Sequence, residues 1–227
     1  LDNGIKENKE LIEASKNISV DKNNTIKETK EETYWNNKWK KSPVIYKAQD
    51  NTPLDIRNFI LSRSYILQPI ANKYNDISFD DRALRILKDV IKRVTYTSDN
   101  VIYKQDEYWA NPEETWQNRL GDCDDGANLI ATLLILSGVP NYRIKVACGD
   151  AFVKNQKVGH AYCVYLADND TWYTLDWCYW AEDSIKTFGV VPHKDKKDTY
   201  GDIWFTFNNE FSFAQKSFTF TKDDIKK

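Results

Sequence analysis

A run of apolar residues that ends in a glycine and a proline limits the possible folds of this chain more than any other feature. Residues 123–137 offer almost no polar side, and Gly138 and Pro140 end the pattern. The apolar members are Ala127, Leu129, Ile130, Ala131, Leu133, Leu134, Ile135 and Leu136. A helix that is apolar on every side must be covered on every side. The sequence therefore predicts a central helix over residues 123–137, buried all round.

A segment that precedes this helix in the chain predicts a second helix with an apolar face. Leu84, Leu87, Val90, Ile91 and Val94 recur at helical spacing after Asp80 and Asp81, which are placed to cap a second helix.

Strand patterns follow the central helix. Residues 142–148 alternate, with Tyr142 and Ile144 on one face and Arg143 and Lys145 on the other. A second strand is predicted from His160 to residue 166 and a third over residues 171–178, joined by a turn at residues 168–170. The predicted fold class is α+β, with the buried helix packed on an antiparallel sheet.

The 227 residues provide enough apolar material for one domain. Residues 1–33 are rich in Lys, Glu, Asn and Asp, a composition typical of a flexible polar arm that could contact an assembly partner. Residues 34–227 are predicted to form the single domain, and the motifs of the family resemblance given below place its catalytic core at about 80–180. An aromatic β extension is expected at 200–222.

Charge and composition exclude several classes of function. The formal net charge of -2 provides no basic surface for nucleic acid, and no apolar run reaches the length of a membrane span. We therefore expect a soluble protein. The sequence does not predict its compartment, and a virion-associated or secreted location is among the options. The four cysteines form no CxxC pair, so no metal site or cofactor is predicted, although two disulfides remain possible.

Cys123 is the candidate nucleophile because it starts the buried helix. Unpaired amide N–H groups and the helix dipole favour a thiolate at that position. Asp122, Asp124 and Asp125 oppose this effect, since nearby carboxylates disfavour another anion. A protonated histidine is expected to supply the missing positive charge.

The chain has two histidines, of which His160 is the candidate and His193 lies in a charged stretch typical of a solvated loop. Asp176 lies near the end of the next predicted strand, between Leu175 and Trp177, where a carboxylate needs a partner. If the turn has an odd number of residues, Asp176 and His160 lie on the same face of the hairpin. A turn of five residues would place them directly opposite each other, and a turn of three residues would place them diagonally.

These residues predict nucleophilic acyl transfer. Cys123 would attack an amide or ester carbon, His160 would deliver a proton to the leaving amine, and Asp176 would orient the imidazole. The backbone N–H of Cys123 would help to bind the oxyanion, together with the indole of Trp109 or Trp116.

Five stretches carry a resemblance to a known family. They are Tyr108-Trp109-Ala110-Asn111-Pro112-Glu113-Glu114-Thr115, Gly121-Asp122-Cys123-Asp124-Asp125, Gly138-Val139-Pro140, Gly159-His160-Ala161-Tyr162 and Trp172-Tyr173-Thr174-Leu175-Asp176. Together they resemble the transglutaminase-like superfamily, in particular its microbial and viral cysteine-peptidase-like members. The resemblance implies a papain-like core, with the cysteine on a central helix and the histidine and aspartate on an antiparallel sheet.

The same resemblance leaves the reaction open. Hydrolysis of a peptide or protein amide is the first expectation, and transfer of the acyl group to an amine is the alternative. Asp124 and Asp125 stand where the eukaryotic crosslinking enzymes have an aromatic residue, and no acidic loop has calcium-ligand spacing, which disfavours calcium-dependent crosslinking. A non-catalytic structural or binding module of a virion or larger assembly is the rival from another class.

Overall fold

The computed structural model describes residues 40–48, 50, 52–153, 156–178, 199–214 and 218–220. The predicted arm at residues 1–33 and His193 lie outside these residues. Within the described part, the helices are α1 (Gln68–Ala71), α2 (Phe79–Arg93), α3 (Asp99–Ile102), α4 (Pro112–Asn118) and α5 (Cys123–Leu136). No helix among them is long and apolar enough to cross a membrane.

The strands of the described part are β1 (Lys40–Lys41), β2 (Val44–Lys47), β3 (Pro53–Asp55), β4 (Thr95–Tyr96), β5 (Leu120–Gly121), β6 (Ile144–Val153), β7 (Gln156–Leu166), β8 (Trp172–Leu175), β9 (Tyr200–Phe207), β10 (Ser212–Ala214) and β11 (Phe218–Phe220). The main sheet has the order β1-β10-β9-β6-β7-β8, and its neighbouring strands are all antiparallel. Strand β2 pairs with β3 and β11, and β4 pairs in parallel with β5.

Helix α5 is the centre of the fold, as the sequence predicts. It packs on β6 and β7 and contacts α1, α2 and α4. Asp122 and Asp125 form a capping box at its start, and Gly138 ends it with a φ of +84°, a conformation that favours glycine. The predicted α+β class, a buried helix on an antiparallel sheet, is confirmed.

Helix α2 also forms where the pattern predicts it, but its cap differs. The Ser78 hydroxyl accepts a hydrogen bond from the Asp81 amide, so Ser78 is the N-cap, and Asp80 and Asp81 occupy the first turn. Ala83, Ile86, Leu87 and Val90 form its buried face.

One expectation about the sheet is wrong in detail. Strand β7 begins at Gln156 rather than at His160, because it pairs with β6 along its whole length and His160 lies opposite Gly149. Arg143 and Lys145, the polar residues of the alternating pattern, are both buried. The Lys145 ammonium lies 5.0 Å from the centre of the Phe213 ring, on a sheet face that carries its own apolar cluster.

All four cysteines lie in the described part of the chain and all are free thiols, so the possible disulfides do not form. Cys148 and Cys163 are buried apolar residues of the sheet, as expected. Cys123 and Cys178 are only partly buried and lie at the end of the core where α5 begins.

Candidate active site

The turn between β7 and β8 sets the geometry of the candidate site. The Ala167 amide donates to the Thr171 carbonyl across residues 168–170, and Asp170 adopts a φ of +57°. The register that follows pairs Cys163 with Leu175. Continued by one residue, it places Asp176 opposite Tyr162 and diagonal to His160, as predicted for a turn of three residues.

His160 and Asp176 are in direct contact. The imidazole Nε2 lies 2.7 Å from Asp176 Oδ2, and both side chains are buried. Asp176 also accepts hydrogen bonds from the Tyr200 hydroxyl at 2.8 Å and from the Cys178 amide at 2.9 Å. Because Nε2 contacts the carboxylate, Nδ1 is the ring nitrogen that is directed away from Asp176.

Tyr200 is a member of this site that the sequence did not reveal. It starts β9, and its ring stacks on that of His160 with centroids 6.4 Å apart. Strand β9 joins the sheet beside β6, far along the chain from His160 and Asp176. Only the sheet order brings the tyrosine to the aspartate, so no local pattern could have predicted it.

Cys123 occupies the first position of α5 beside the same strands. Trp177 follows Asp176 in the chain, and its indole N–H donates to the Cys123 carbonyl at 3.4 Å. The amide of Ala161, the residue after His160, acts on the Cys123 thiol in the direction that stabilises a thiolate. The Cys178 sulfur lies close to both the His160–Asp176 pair and Cys123. It is within 4.8 Å of the ligand atoms of His160 and Asp176, and it also raises the pKa of the Cys123 thiol.

The electrostatic setting of Cys123 differs from the expectation for a helix start. Burial, the Asp122 carboxylate and Cys178 raise the pKa of the Cys123 thiol well above its usual range. The amide of Ala161 acts in the opposite direction but is outweighed. The raised pKa favours the neutral thiol over the thiolate at this position.

Three carboxylates meet beside Cys123, two from the start of α5 and one from α3. Ligand atoms of Asp99, Asp122 and Asp125 lie within 4.8 Å of one another. Asp125 accepts hydrogen bonds from the amides of Ala110 and Asp122, and Asp99 Oδ2 accepts from the Tyr108 amide. Among the residues that the structure describes, the other oxygen of Asp99 and one oxygen of Asp122 are buried and have no hydrogen-bond partner.

This crowding of carboxylates disfavours their charged forms. Burial and the neighbouring Asp122 raise the pKa of Asp99 to about 7. Burial and Asp122 likewise raise the pKa values of Asp124 and Asp125 well above the usual range. A bound cation or bound protons would relieve this repulsion.

The two tentative oxyanion donors have other contacts. The indole N–H of Trp109 donates to Glu107 Oε1 at 2.8 Å, and its ring stacks on Tyr46. The Arg93 guanidinium lies 3.9 Å from the centre of the Trp116 ring. Trp109 could bind an oxyanion only after releasing Glu107, so its role as the second donor stays a prediction, as does that of Trp116.

A cavity of about 520 Å³ is lined in part by Trp109. Its lining combines aromatic rings, among them Tyr46 and Tyr108, with the amide side chains of Asn58, Gln105 and Asn111. Such a lining offers apolar faces and hydrogen-bond partners together.

Comparison with known proteins supports the fold. In solved structures, LapG from Legionella pneumophila matches in its EGTA-treated form with a TM-score of 0.50 and 19% identity, over 65% of this chain and 72% of that one. The calcium-bound form matches with the same TM-score and identity, over 70% of this chain and 82% of that one. At this identity the likeness shows a shared fold. No curated protein matches the sequence.

The family comparison covers most of the chain. A family described as a transglutaminase-like domain matches residues 13–181, which include Cys123, His160 and Asp176. The chain therefore belongs to the transglutaminase-like domain family.

Proposed function

We propose that this protein is a cysteine-dependent hydrolase of amide bonds, a peptidase or amidase, in which Cys123, His160 and Asp176 form a catalytic triad. Membership of the transglutaminase-like family supports a cysteine-peptidase-like function. The observation that carries the proposal is the buried hydrogen bond between His160 Nε2 and Asp176 Oδ2, on strands that flank the start of α5.

The proposed reaction begins with a proton transfer. Because the Cys123 thiol is neutral at rest, His160 Nδ1 removes its proton as the sulfur attacks the amide carbon. Asp176 stabilises the imidazolium that forms and keeps Nδ1 directed away from itself.

Attack of the sulfur on the amide carbon gives a tetrahedral intermediate, which then breaks down. The carbon–nitrogen bond breaks, the amine leaves with the proton from His160, and a thioester joins the acyl group to Cys123. Water attacks the thioester, His160 takes the proton from the water, and the Cys123 thiol is restored as the carboxylic acid leaves. If an amine took the place of water, the product would be a new amide, which is the transamidation alternative.

A peptide and amine substrate screen tests this proposal. We expect wild-type protein to release new carboxylic acids and Cys123→Ala to be inactive, while Cys163→Ala, which alters a buried sheet cysteine, remains active. Mass spectrometry of the products separates hydrolysis from amine incorporation. Equal turnover by the wild type and Cys123→Ala would refute the catalytic role of the cysteine, whereas no turnover of any peptide or amine by the wild type would favour the structural or binding module.

We also propose that Asp99, Asp122 and Asp125 hold a divalent cation, with calcium as the candidate because one LapG structure is calcium-bound. The unpartnered buried oxygens of Asp99 and Asp122 support this assignment, since calcium binds carboxylate oxygens. Asp99 lies far along the chain from Asp122 and Asp125, so the three ligands follow no spacing that could have predicted a metal. A cation there would offset the negative charge beside Cys123.

Thermal unfolding tests the cation site without an activity assay. Calcium should raise the unfolding temperature of the wild type, and EGTA should reverse the effect. Asp99→Asn should abolish the calcium-dependent shift, whereas Asp106→Asn, outside the cluster, should preserve it. An unfolding temperature that does not respond to calcium would refute the site.

A further inference from the structure

An exposed aromatic residue lies beside the start of α5. Strand β4 runs parallel to β5 with Tyr96 opposite Gly121, and the Thr97 amide donates to the Gly121 carbonyl at 2.9 Å. Gly121 precedes Cys123 by two residues. This pairing fixes Tyr96 at the edge of the proposed site.

Tyr96 is held in place although it is exposed. Its side chain is 56% exposed, and its ring centroid lies 5.8 Å from that of Trp177, which is 5% exposed. Aromatic contacts of this kind restrict a ring without covering both of its faces. Tyr96 therefore presents a fixed apolar face to solvent.

The inner ring of this pair covers the first turn of α5. A Cβ added to Gly126 would lie 2.0 Å from Trp177 Nε1, and the same indole donates to the Cys123 carbonyl. Trp177 also follows Asp176, so one residue contacts the helix start and adjoins the proposed orienting carboxylate. We call Tyr96 and Trp177 the aromatic platform.

We infer that Tyr96 determines specificity by binding an apolar side chain of the peptide substrate next to the amide that Cys123 attacks. The inference rests on the proposed function. A peptide whose carbonyl carbon reaches the sulfur must pass over the start of α5, where Tyr96, held by the pairing of β4 with β5 and by Trp177, presents an exposed apolar face. Tyrosine provides a large contact area at a low entropic cost, which suits it to this role.

The effect should appear in KM and depend on the substrate side chain. Contact with an aromatic ring contributes about 0.5–1.5 kcal/mol beyond burial, so its loss predicts a rise in KM of up to about tenfold. An interaction made equally in the ground and transition states changes KM and leaves kcat unchanged.

Quenched-fluorescence peptides provide the test. Two series are compared, identical except that each position flanking the cleaved bond is set in turn to Phe or Gly. Tyr96→Ala should raise KM up to about tenfold for the preferred Phe peptide and leave the Gly peptide unchanged, while Tyr96→Phe should behave as the wild type. Tyr65→Ala, which removes an exposed tyrosine outside the platform, is the matched control.

Binding to the inactive Cys123→Ala background, measured by fluorescence anisotropy, separates this inference from the proposed function. If the wild type cleaves peptides but neither turnover nor binding distinguishes the Phe and Gly series, the role of Tyr96 is refuted and the hydrolase stands. If no peptide is cleaved but the Phe series binds more tightly and Tyr96→Ala removes the preference, the hydrolase is refuted and the binding surface stands. Absence of both cleavage and preferential binding refutes both.

Discussion

Replacement of Asp176 tests the proposed triad most directly, because three donors depend on one buried carboxylate. Asp176→Ala removes the acceptor for His160 Nε2, the Tyr200 hydroxyl and the Cys178 amide. A buried donor without a partner costs about 1–3 kcal/mol, and the costs of neighbouring groups add incompletely. We expect a loss of about 3–5 kcal/mol in the free energy of unfolding.

The Asp176→Asn variant tests the orientation of the His160 imidazole separately from the stability of the protein. The amide oxygen can still accept from the Cys178 N–H, and the Tyr200 hydroxyl can turn to accept from the amide nitrogen. The amide nitrogen would then also face His160 Nε2, which must become an acceptor, so the imidazole proton moves to Nδ1. Because Nδ1 then has no lone pair for the Cys123 thiol, activity should fall on the order of 10³–10⁴-fold.

The assays are thermal unfolding and kcat/KM. In a domain of this size, 1 kcal/mol corresponds to roughly 2–4 °C, so Asp176→Ala should unfold at least about 6 °C below the wild type and Asp176→Asn closer to it. Tyr200→Phe, which removes one donor to Asp176 and leaves His160 paired, is the control and should retain most activity. A folded Asp176→Asn variant with wild-type kcat/KM would show that another residue orients His160.

Three further predictions concern the start of α5 and the tentative oxyanion donor. Because burial and a neighbouring carboxylate raise the pKa of the Cys123 thiol, its alkylation by iodoacetamide should be slower at pH 7 than that of a free cysteine peptide and should accelerate above pH 9. Rapid labelling at pH 6, read by mass spectrometry, would instead indicate a thiolate paired with histidine. Gly126→Ala should destabilise the protein by roughly 1–3 kcal/mol because its Cβ meets Trp177, an effect larger than the helix-propensity gain of about 1 kcal/mol, and an unchanged unfolding temperature would contradict the packing. Trp109→Phe removes the donor to Glu107, so stability should fall by about 1–3 kcal/mol with less than a tenfold change in kcat, whereas a hundredfold fall in kcat would support the oxyanion role.

The helices and the hairpin could be predicted because their signals are local. Helix α5 follows from an uninterrupted apolar run and a terminal glycine, and the β7–β8 turn follows from residues 168–170. Side-chain alternation then fixes the faces of both strands, so the contact between His160 and Asp176 needed no knowledge of the remaining chain.

The features that sequence could not reveal depend on distant segments. The burial of Lys145 could not be predicted, because alternation cannot show that both faces of a sheet are covered. Tyr200 reaches Asp176 only through the order of strands in the sheet, and Asp99 meets Asp122 only through the path of α3. Each of these contacts joins residues that no spacing rule connects.

The reactivity of Cys123 shows why a cysteine at a helix start is not sufficient evidence of a thiolate. A helix N-terminus stabilises an anion through its unpaired amides, but Asp122 already accepts from the amides of Asp124 and Asp125. The positive end of the helix dipole therefore stabilises carboxylates rather than the sulfur. As a result, it does not offset the effects that raise the pKa of the Cys123 thiol. In the proposed mechanism, activation therefore comes from outside the helix, through His160 on β7, and the proposed cation would offset the charge of the carboxylates. The helix start positions the sulfur, and the surrounding strands and segments decide whether it reacts.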